Sequence, residues 1–329
     1  MKASLVIAAA VAVTSLQAAE VEDLQHTFAV QPGGEVSVDV DFGSIQISTN
    51  ATSEVTVEVH RQIGLNSSEK ELAFLKGNPV EFIQDGNKVV IRQRGKSKSG
   101  IWNWMGSQRK EAKYIVHVPA QFGARANTSG GDIEVRDLQG PVNANTSGGG
   151  LKFSRIQGPL KGDTSGGGIK VADCQGDSTV STSGGGITVN GGGGKLHADT
   201  SGGSISVKNF AGPAHASTSG GGIVLENIGG EVKASTSGGS ISASLAKGVS
   251  EEIDLGTSGG SLVVKVPEKA AFDLDASTTG GGVSCDLPVE FTGKKKHGEL
   301  HGPVNGGGKT IKLRTSGGSI HVRTQPATS

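Results

Sequence analysis

The sequence is poor in aromatic residues, in cysteine and in net charge. Phenylalanine, tryptophan and tyrosine together make up 4% of its 329 residues, which excludes a core built on large rings. Lysine plus arginine and aspartate plus glutamate each number 31, so no overall field attracts nucleic acid or an anionic membrane. Glycine, by contrast, occurs 54 times, well above its usual share of about 7%. We therefore expect a thin, aliphatic core.

The chain also lacks an apolar run long enough to span a bilayer. Its first apolar run, Leu5 to Val13, follows Lys2 and precedes the small residues Ala18 and Ala19. This order is typical of a secretory signal peptide, here residues 1–19, and no cysteine stands at the cleavage point to carry a lipid. The sequence predicts an exported protein that is periplasmic, at the cell surface or extracellular, without a transmembrane segment.

One short block, TSGG or a close variant, recurs ten times. Six successive intervals between its threonines are 18 residues, two more are 21 and the last is 37. A near-fixed period of this length indicates a repeat protein in which each unit stacks on its neighbours. The block threonines are Thr128, Thr146, Thr164, Thr182, Thr200, Thr218, Thr236, Thr257, Thr278 and Thr315.

Each period carries two alternating apolar pairs. Ile133 and Val135 follow Thr128 by five and seven residues, and Val142 and Ala144 precede Thr146 by four and two. Alternation of this kind is typical of strands, so each period holds two short strands that stack on the same strands of the next period. The sequence predicts an all-β parallel β-helix or solenoid, right-handed, with about 18 residues per coil.

The TSGG block is then interpreted as a corner. We expect its glycines to supply positive φ angles, and its hydroxyls to bond to their counterparts one coil away. None of the blocks ends in the Gly-Lys-Ser or Gly-Lys-Thr of a phosphate-binding loop, so no nucleotide is predicted. The TSGGG blocks also lack the aspartate of calcium-binding β-roll repeats, and only SGGD at 129–132 keeps an acid.

The regions that flank the repeats are predicted from strand patterns. Residues 20–126 contain EVSVDV, GSIQIS, EVTVEV, KVVIRQR and KYIVHV, with a helix at SSEKELAFLKG, and form a β-rich region that caps the first coil. Residues 127–289 are the glycine-rich repeats. Residues 290–329 make an excursion and a final coil.

Four acidic residues form the strongest candidate site in the sequence. Glu252 and Asp254 precede one corner threonine at the same offsets at which Asp273 and Asp275 precede the next. We expect the four carboxylates to point outward on neighbouring coils, about 5 to 7 Å apart. That spacing suits cation binding, sugar contact or a glycosidase pair, and it also suits a solvated face that is ion-paired with Lys233 and Lys312.

The only two tryptophans form a second candidate. Trp102 and Trp104 stand among arginines and lysines in residues 92–113. Such a loop can stack on sugars or rest at an anionic surface, or its tryptophans can pack against the first coil.

Other constellations are incomplete. His197 and His215 are 18 residues apart and should stack, but two imidazoles without a third ligand make a poor metal site. Cys174 and Cys285 fall on apolar positions of distant coils, both pointing inward, so no disulfide is expected. No catalytic triad, metal or cofactor is predicted.

Three stretches carry a resemblance to a known family. They are FAVQPGGEVSVDVDFGSIQIS, YIVHVPAQFGARANTSGGDIEVRDLQG and GPVNGGGKTIKLRTSGGSI. In them the chain resembles the bacterial "putative adhesin" family of secreted β-strand-repeat proteins, a domain family of unknown function related to head-domain adhesins of auto-transporters. The resemblance covers nearly the whole mature chain. It implies a secreted, β-helix-like, adhesive protein and carries over no catalytic residue.

The sequence therefore predicts a non-enzymatic envelope or surface protein that makes many weak contacts, with polysaccharide or a cell-surface component as partner. The alternative is an enzyme that acts on extracellular polysaccharide through the acidic group. Ice binding is disfavoured because the hydroxyls line corners rather than a flat strand face.

Overall fold

The two apolar pairs in each period form two short strands, as their spacing predicts. The computed structural model describes residues 20–65, 67–95, 109–245, 248–290 and 298–326. These residues form 28 strands and one helix, so the chain is all-β with mostly parallel pairing. The strands group into a first unit that ends at Thr164 and a second that begins at Ser165.

The first unit contains two six-stranded sheets. The order in sheet 1A is β1-β4-β7-β3-β9-β11, and in sheet 1B it is β12-β10-β8-β2-β6-β5. The elements are β1 (Glu20–Ala29), β2 (Glu35–Val40), β3 (Ser44–Asn50), β4 (Glu54–Gly64), α1 (Ser68–Gly77), β5 (Glu81–Asp85), β6 (Lys88–Gln93), β7 (Arg109–Pro119), β8 (Gly123–Thr128), β9 (Ile133–Arg136), β10 (Val142–Thr146), β11 (Leu151–Ser154) and β12 (Leu160–Thr164).

The second unit contains two eight-stranded sheets. The order in sheet 2A is β13-β15-β17-β19-β21-β23-β28-β25, and in sheet 2B it is β26-β24-β27-β22-β20-β18-β16-β14. The strands are β13 (Ile169–Ala172), β14 (Ser178–Thr182), β15 (Ile187–Asn190), β16 (Leu196–Thr200), β17 (Ile205–Lys208), β18 (Ala214–Thr218), β19 (Ile223–Glu226), β20 (Val232–Thr236), β21 (Ile241–Ser244), β22 (Ile253–Thr257), β23 (Leu262–Pro267), β24 (Phe272–Thr278), β25 (Val283–Cys285), β26 (Glu299–Val304), β27 (Thr310–Thr315) and β28 (Ile320–Gln325).

Within the repeats the chain alternates between the two sheets of a unit, and equivalent residues pair in register. Val142 lies opposite Leu160 in sheet 1B, and Leu196 lies opposite Ala214 in sheet 2B. Burial alternates along each strand, so one face of every strand supplies the aliphatic core. The opposite face presents polar side chains at a spacing of about 4.8 Å from strand to strand.

The region before the repeats joins the same pairing. Strands β2 and β3 pair in parallel with β8 and β9, the first repeat strands. Antiparallel pairs lie beyond them, β1 with β4 and β4 with β7 in one sheet and β5 with β6 in the other. Strands β1 and β5 were not among the predicted patterns. Helix α1 is confirmed, and its cap residue Ser67 accepts a hydrogen bond from the backbone N–H of Lys70.

The TSGG corners form as tight links, but the predicted reason for their glycines is wrong. None of the glycines in these blocks, all of which lie among the described residues, takes a positive φ angle. A Cβ on Gly149 would instead lie 2.1 Å from the carbonyl oxygen of Gly131 on the layer below, and one on Gly221 would lie 2.0 Å from that of Gly203. Glycine is required at this second glycine of the block because successive backbones stack there without room for a side chain.

Positive φ angles occur at a different corner, immediately after the repeat strands of sheets 1A and 2A. Asp137 has φ 66°, Asn209 has φ 54° and Asn227 has φ 56°, while Gly191 takes the equivalent place after β15. Aspartate and asparagine tolerate this left-handed conformation better than most residues. The side chains of Asn227 and Asn209 also stack, with Nδ2 of Asn227 donating to Oδ1 of Asn209 at 3.0 Å.

The corner threonines also act differently from the prediction. Their hydroxyls do not bond to one another but donate to the backbone of the layer below, as Thr146 Oγ1 does to the carbonyl of Gly131 at 2.9 Å. The backbone N–H of Gly149 in turn donates to Thr146 Oγ1 at 3.3 Å. Thr146 is buried. The threonine therefore closes its own corner and ties it to the preceding one.

The last two strands are inserted out of chain order. Strand β27 lies between β22 and β24, and β28 lies between β23 and β25. The final coil is thus not the terminal layer, and β25 with its Cys285 forms an edge. Cys285 is half-buried, in contrast to the inward position predicted for it, whereas Cys174 is buried as expected.

Candidate functional site

Two predicted features lie outside the described residues. They are the tryptophan pair, Trp102 and Trp104, and the signal peptide, residues 1–19. The tryptophan contact site and the leader therefore stay predictions. Among the described residues, no helix has the length and apolar character that crossing a membrane requires.

The four acids do not lie on adjacent strands. Because β27 is inserted between β22 and β24, Lys312 lies opposite both Asp254 and Asp275. Thr310 lies in the same way opposite Asp273. The expectation that the two acidic pairs occupy neighbouring coils is therefore wrong, and a lysine divides the predicted patch.

Two of the four acids, Asp254 and Asp275, have ion-pair partners. Oδ2 of Asp254 lies 3.8 Å from Nζ of Lys312. Asp275 lies 2.8 Å from Nδ1 of His301 and 2.7 Å from a guanidinium nitrogen of Arg314. Asp273 accepts a hydrogen bond from the backbone N–H of Gly308 at 3.4 Å. This geometry matches the ion-paired, solvated alternative, and the described residues contain no group of three His, Cys, Asp or Glu placed to hold a metal ion.

Lys312 on β27 lies between Asp254 and Asp275, and this alternation of charge should stabilise β27 between β22 and β24. We expect Lys312→Glu, which places three carboxylates in one row, to lower the free energy of unfolding by about 1 kcal/mol, since like charges directly opposite destabilise a sheet and these side chains are roughly half exposed. Lys312→Gln is the control that removes the charge alone. Urea unfolding in low salt and in 0.5 M NaCl checks this, because the difference should shrink as salt screens the row. Equal stability of both variants in low salt would contradict it.

A groove lies on the outer face of sheet 2B, across β16, β18, β20 and β22. Its volume is about 330 Å³. In-register pairing aligns its lining in two rows, because the outward residues of each strand lie opposite those of the next. The floor includes Ala216 and Ala234. The first row is His197, His215, Lys233 and Asp254; the second row is Asp199, Ser217, Ser235 and Gly256.

The two histidines of the first row stack, as their spacing predicts. Their ring centroids are 6.0 Å apart and the rings meet edge to face. Burial, followed by the charges of Lys195 and Lys233, lowers the pKa of His215 below its ordinary value, so this ring is neutral at pH 7. Its Nε2 is buried without a hydrogen-bond partner among the described residues. Nε2 of His197 lies 3.0 Å from Asp199 in the second row.

A second concave region of about 750 Å³ lies in the first unit, beside β4 and β7. It contains Asp23 and His60, whose side chains are 2.7 Å apart, together with Lys113 and Glu111. Arg61 also borders it, but its guanidinium is buried and held by Glu22. Its charges are of both signs, and no row of equivalent residues lines it.

Sequence reasoning found single members of the groove but not the groove. The repeat offsets place His197, His215 and Asp254 outward, but they do not by themselves indicate a second row beside them. The signal was present in the residue before each corner threonine, which shrinks from Asp199 through Ser217 and Ser235 to Gly256. The groove forms because the side chains of the second row become short, whereas the histidine and lysine side chains of the first row are long.

Comparison with known proteins gives one family and several distant structures. The family model described as Toastrack DUF4097 matches residues 34–323. No curated protein was found to match the chain. Among solved structures, the chain is similar to a putative adhesin from Parabacteroides distasonis ATCC 8503, with 14% identity and a TM-score of 0.41 over 91% of this chain and 96% of that chain.

Two further solved structures are similar at comparable identity. A putative adhesin from Bacteroides fragilis NCTC 9343 has 13% identity and a TM-score of 0.30, over 92% of this chain and 97% of that chain. A putative cell adhesion protein from Clostridium sporogenes ATCC 15579 has 12% identity and a TM-score of 0.23, over 92% and 99% respectively.

Proposed function

Because this chain belongs to the Toastrack DUF4097 family, we propose that it is a non-enzymatic protein of the cell envelope or surface that binds polysaccharide. The observation that supports the proposal best is the outer face of sheet 2B, where successive parallel strands present aligned rows of polar side chains. A chain polymer that lies across these strands meets a new set of hydrogen-bonding groups about every 4.8 Å. Contacts that are weak singly then add along the polymer.

We infer a right-handed β-helix with 18 residues per coil over residues 127–289, preceded by a signal peptide over 1–19 and a capping region over 20–126. Residues 290–329 would make the excursion and the coil that inserts between earlier ones. The in-register bonds between residues 18 apart, such as Asn145 to Asn127, support the coil length. The handedness rests on the general rule for parallel crossovers.

The strand order weighs against the enzymatic alternative. It required Glu252, Asp254, Asp273 and Asp275 to form a patch on neighbouring strands. Lys312 divides that patch, and Asp254 and Asp275 are ion-paired. Retaining and inverting glycosidases need two free carboxyl groups that face one bond across a sugar ring, and the ion pairs of Asp254 and Asp275 disfavour that use of this face.

A polysaccharide panel tests the proposed function. We expect the purified chain to be retained on at least one immobilised bacterial or host polysaccharide, and to release no new reducing ends from it. Release of reducing ends would make the protein an enzyme. Absence of retention on every polysaccharide would contradict the proposal and favour a protein partner.

Two double variants then separate the candidate contact sites. Trp102→Ala with Trp104→Ala tests the predicted loop, and His197→Ala with His215→Ala tests the groove of sheet 2B. Loss of retention in one variant only would assign the contact to that region.

A further inference from the structure

Gly256 is a glycine that the backbone does not require. It lies inside β22, points outward, and takes no positive φ angle. A Cβ at this position would meet no atom within 4 Å, whereas one on the corner glycine Gly221 would lie 2.0 Å from a backbone oxygen. Glycine inside a strand weakens it, and it often marks a place where a ligand approaches the backbone closely. Steric need explains Gly221 but not Gly256.

The position of Gly256 explains the shape of the groove. It ends the second row, in which the side chains become smaller from Asp199 through the two serines. The first row stays tall because it carries histidine and lysine. The groove therefore runs across the strands and exposes the backbone of β22 at Gly256. Its direction suits an extended polymer rather than a compact ligand.

The charged residues of the groove already have partners within the protein. Asp199 pairs with His197 at 3.0 Å, Lys233 with Glu231 at 2.6 Å, and Asp254 with Lys312 at 3.8 Å. A charged ligand would have to compete with these pairs. A neutral ligand rich in hydroxyl groups can donate to the carboxylates and accept from the lysine without breaking them.

Two further groups are suited to hydroxyl ligands. The hydroxyls of Ser217 and Ser235 lie 3.4 Å apart, so a sugar hydroxyl can join their row. The buried Nε2 of His215 lacks a partner among the described residues, and such an atom is commonly satisfied by an ordered water or a ligand.

Resting on the polysaccharide-binding function proposed above, we propose that this groove holds a linear, neutral oligosaccharide. The sugar chain lies across β16, β18, β20 and β22, with successive rings over successive strands. One ring lies against the bare backbone at Gly256. Ser217, Ser235 and the two groove carboxylates bond its hydroxyls, and the histidine rings form the opposite wall.

The test fills the groove at its open end. A Cβ at Gly256 would meet no atom within 4 Å, so we expect Gly256→Phe to fold with an unchanged or higher melting temperature and its ring to block the groove. The matched control is Ser242→Phe, an outward position on β21 in sheet 2A. Isothermal titration with cellohexaose, chitohexaose and hexagalacturonate gives the affinities. We expect wild type to bind a neutral hexasaccharide. Its affinity should be at least tenfold weaker in Gly256→Phe and within twofold of wild type in Ser242→Phe.

The possible outcomes distinguish failure of the groove proposal from failure of the proposed polysaccharide-binding function. Unchanged affinity in Gly256→Phe, with wild-type binding present, overturns the groove and leaves polysaccharide binding intact. Preference for hexagalacturonate overturns the neutral occupant. Absence of binding to every polysaccharide and oligosaccharide overturns the proposed function itself. If Gly256→Phe fails to fold, His197→Ala with His215→Ala removes one wall without adding bulk and should weaken binding by the same tenfold; full affinity in that variant overturns the groove.

Discussion

Gly221→Ala lowers the free energy of unfolding by about 3 kcal/mol, the cost of forcing a methyl group into a packed layer that cannot move aside. The new Cβ would lie 2.0 Å from the carbonyl oxygen of Gly203 and 2.7 Å from Cα of Ser204. Both are backbone atoms of the layer below, held by pairing of β17 with its neighbours on either side. Relief therefore requires the two layers to separate locally. Urea unfolding of the purified variant measures the loss.

The adjacent residue provides a control within the same block. A Cβ on Gly220 would have its nearest contact at 3.4 Å, an ordinary van der Waals distance. Neither glycine takes a positive φ angle, so backbone conformation does not distinguish them. We expect Gly220→Ala to stay within about 0.5 kcal/mol of wild type, as surface substitutions usually do. Equal destabilisation by the two variants would show that conformational freedom, not space, explains the glycines.

The repeat made most of the fold predictable, because strands recur at fixed offsets from each corner threonine. Ile133 and Val135 and their equivalents are buried as the alternation predicts, except on the edge strand β25. The reason for the corner glycines was not predictable in the same way. Glycine serves both positive φ and close stacking, and a sequence does not distinguish these uses until the layer below is known.

The insertion of β27 could have been inferred from charge but not from spacing. The interval of 37 residues between Thr278 and Thr315 indicates only that a coil is interrupted. Stacking in chain order would set Asp254 opposite Asp275, two like charges. Inserting Lys312 between them gives alternating signs, which is the arrangement found. Aligning outward residues, and not only apolar ones, would have exposed the conflict.

The groove illustrates a different limit. Its tall row was visible in the sequence as His197 and His215, but a groove is a relation between two rows and requires the register of four strands. Gly256 was hidden among 54 glycines. What distinguishes it is open space around its Cβ position together with an outward place inside a strand, and composition shows neither property.

Thr218→Val should cost about 2 kcal/mol, since it leaves two partly buried backbone groups without this partner, and a fully buried unpaired group costs about 1 to 3 kcal/mol. The Thr218 hydroxyl donates to the carbonyl of Gly203 at 2.8 Å and accepts from the N–H of Gly221 at 3.3 Å. Valine has nearly the same shape, so packing is preserved and the loss reports the hydrogen bonds. The side chain is buried, and water cannot replace them without entering the corner.

Thr218→Ser is the matched control, because it keeps the hydroxyl and removes only a methyl group, worth about 1 kcal/mol. Urea unfolding gives the ranking, and hydrogen exchange at the Gly221 amide gives its location. We expect the valine variant to be less stable than the serine variant and to lose protection at Gly221 first. A valine variant as stable as the serine variant would mean that the methyl group, not the hydroxyl, is what the corner requires. If the valine variant is the less stable of the two, the hydroxyl explains why threonine, and not valine, recurs at this buried position.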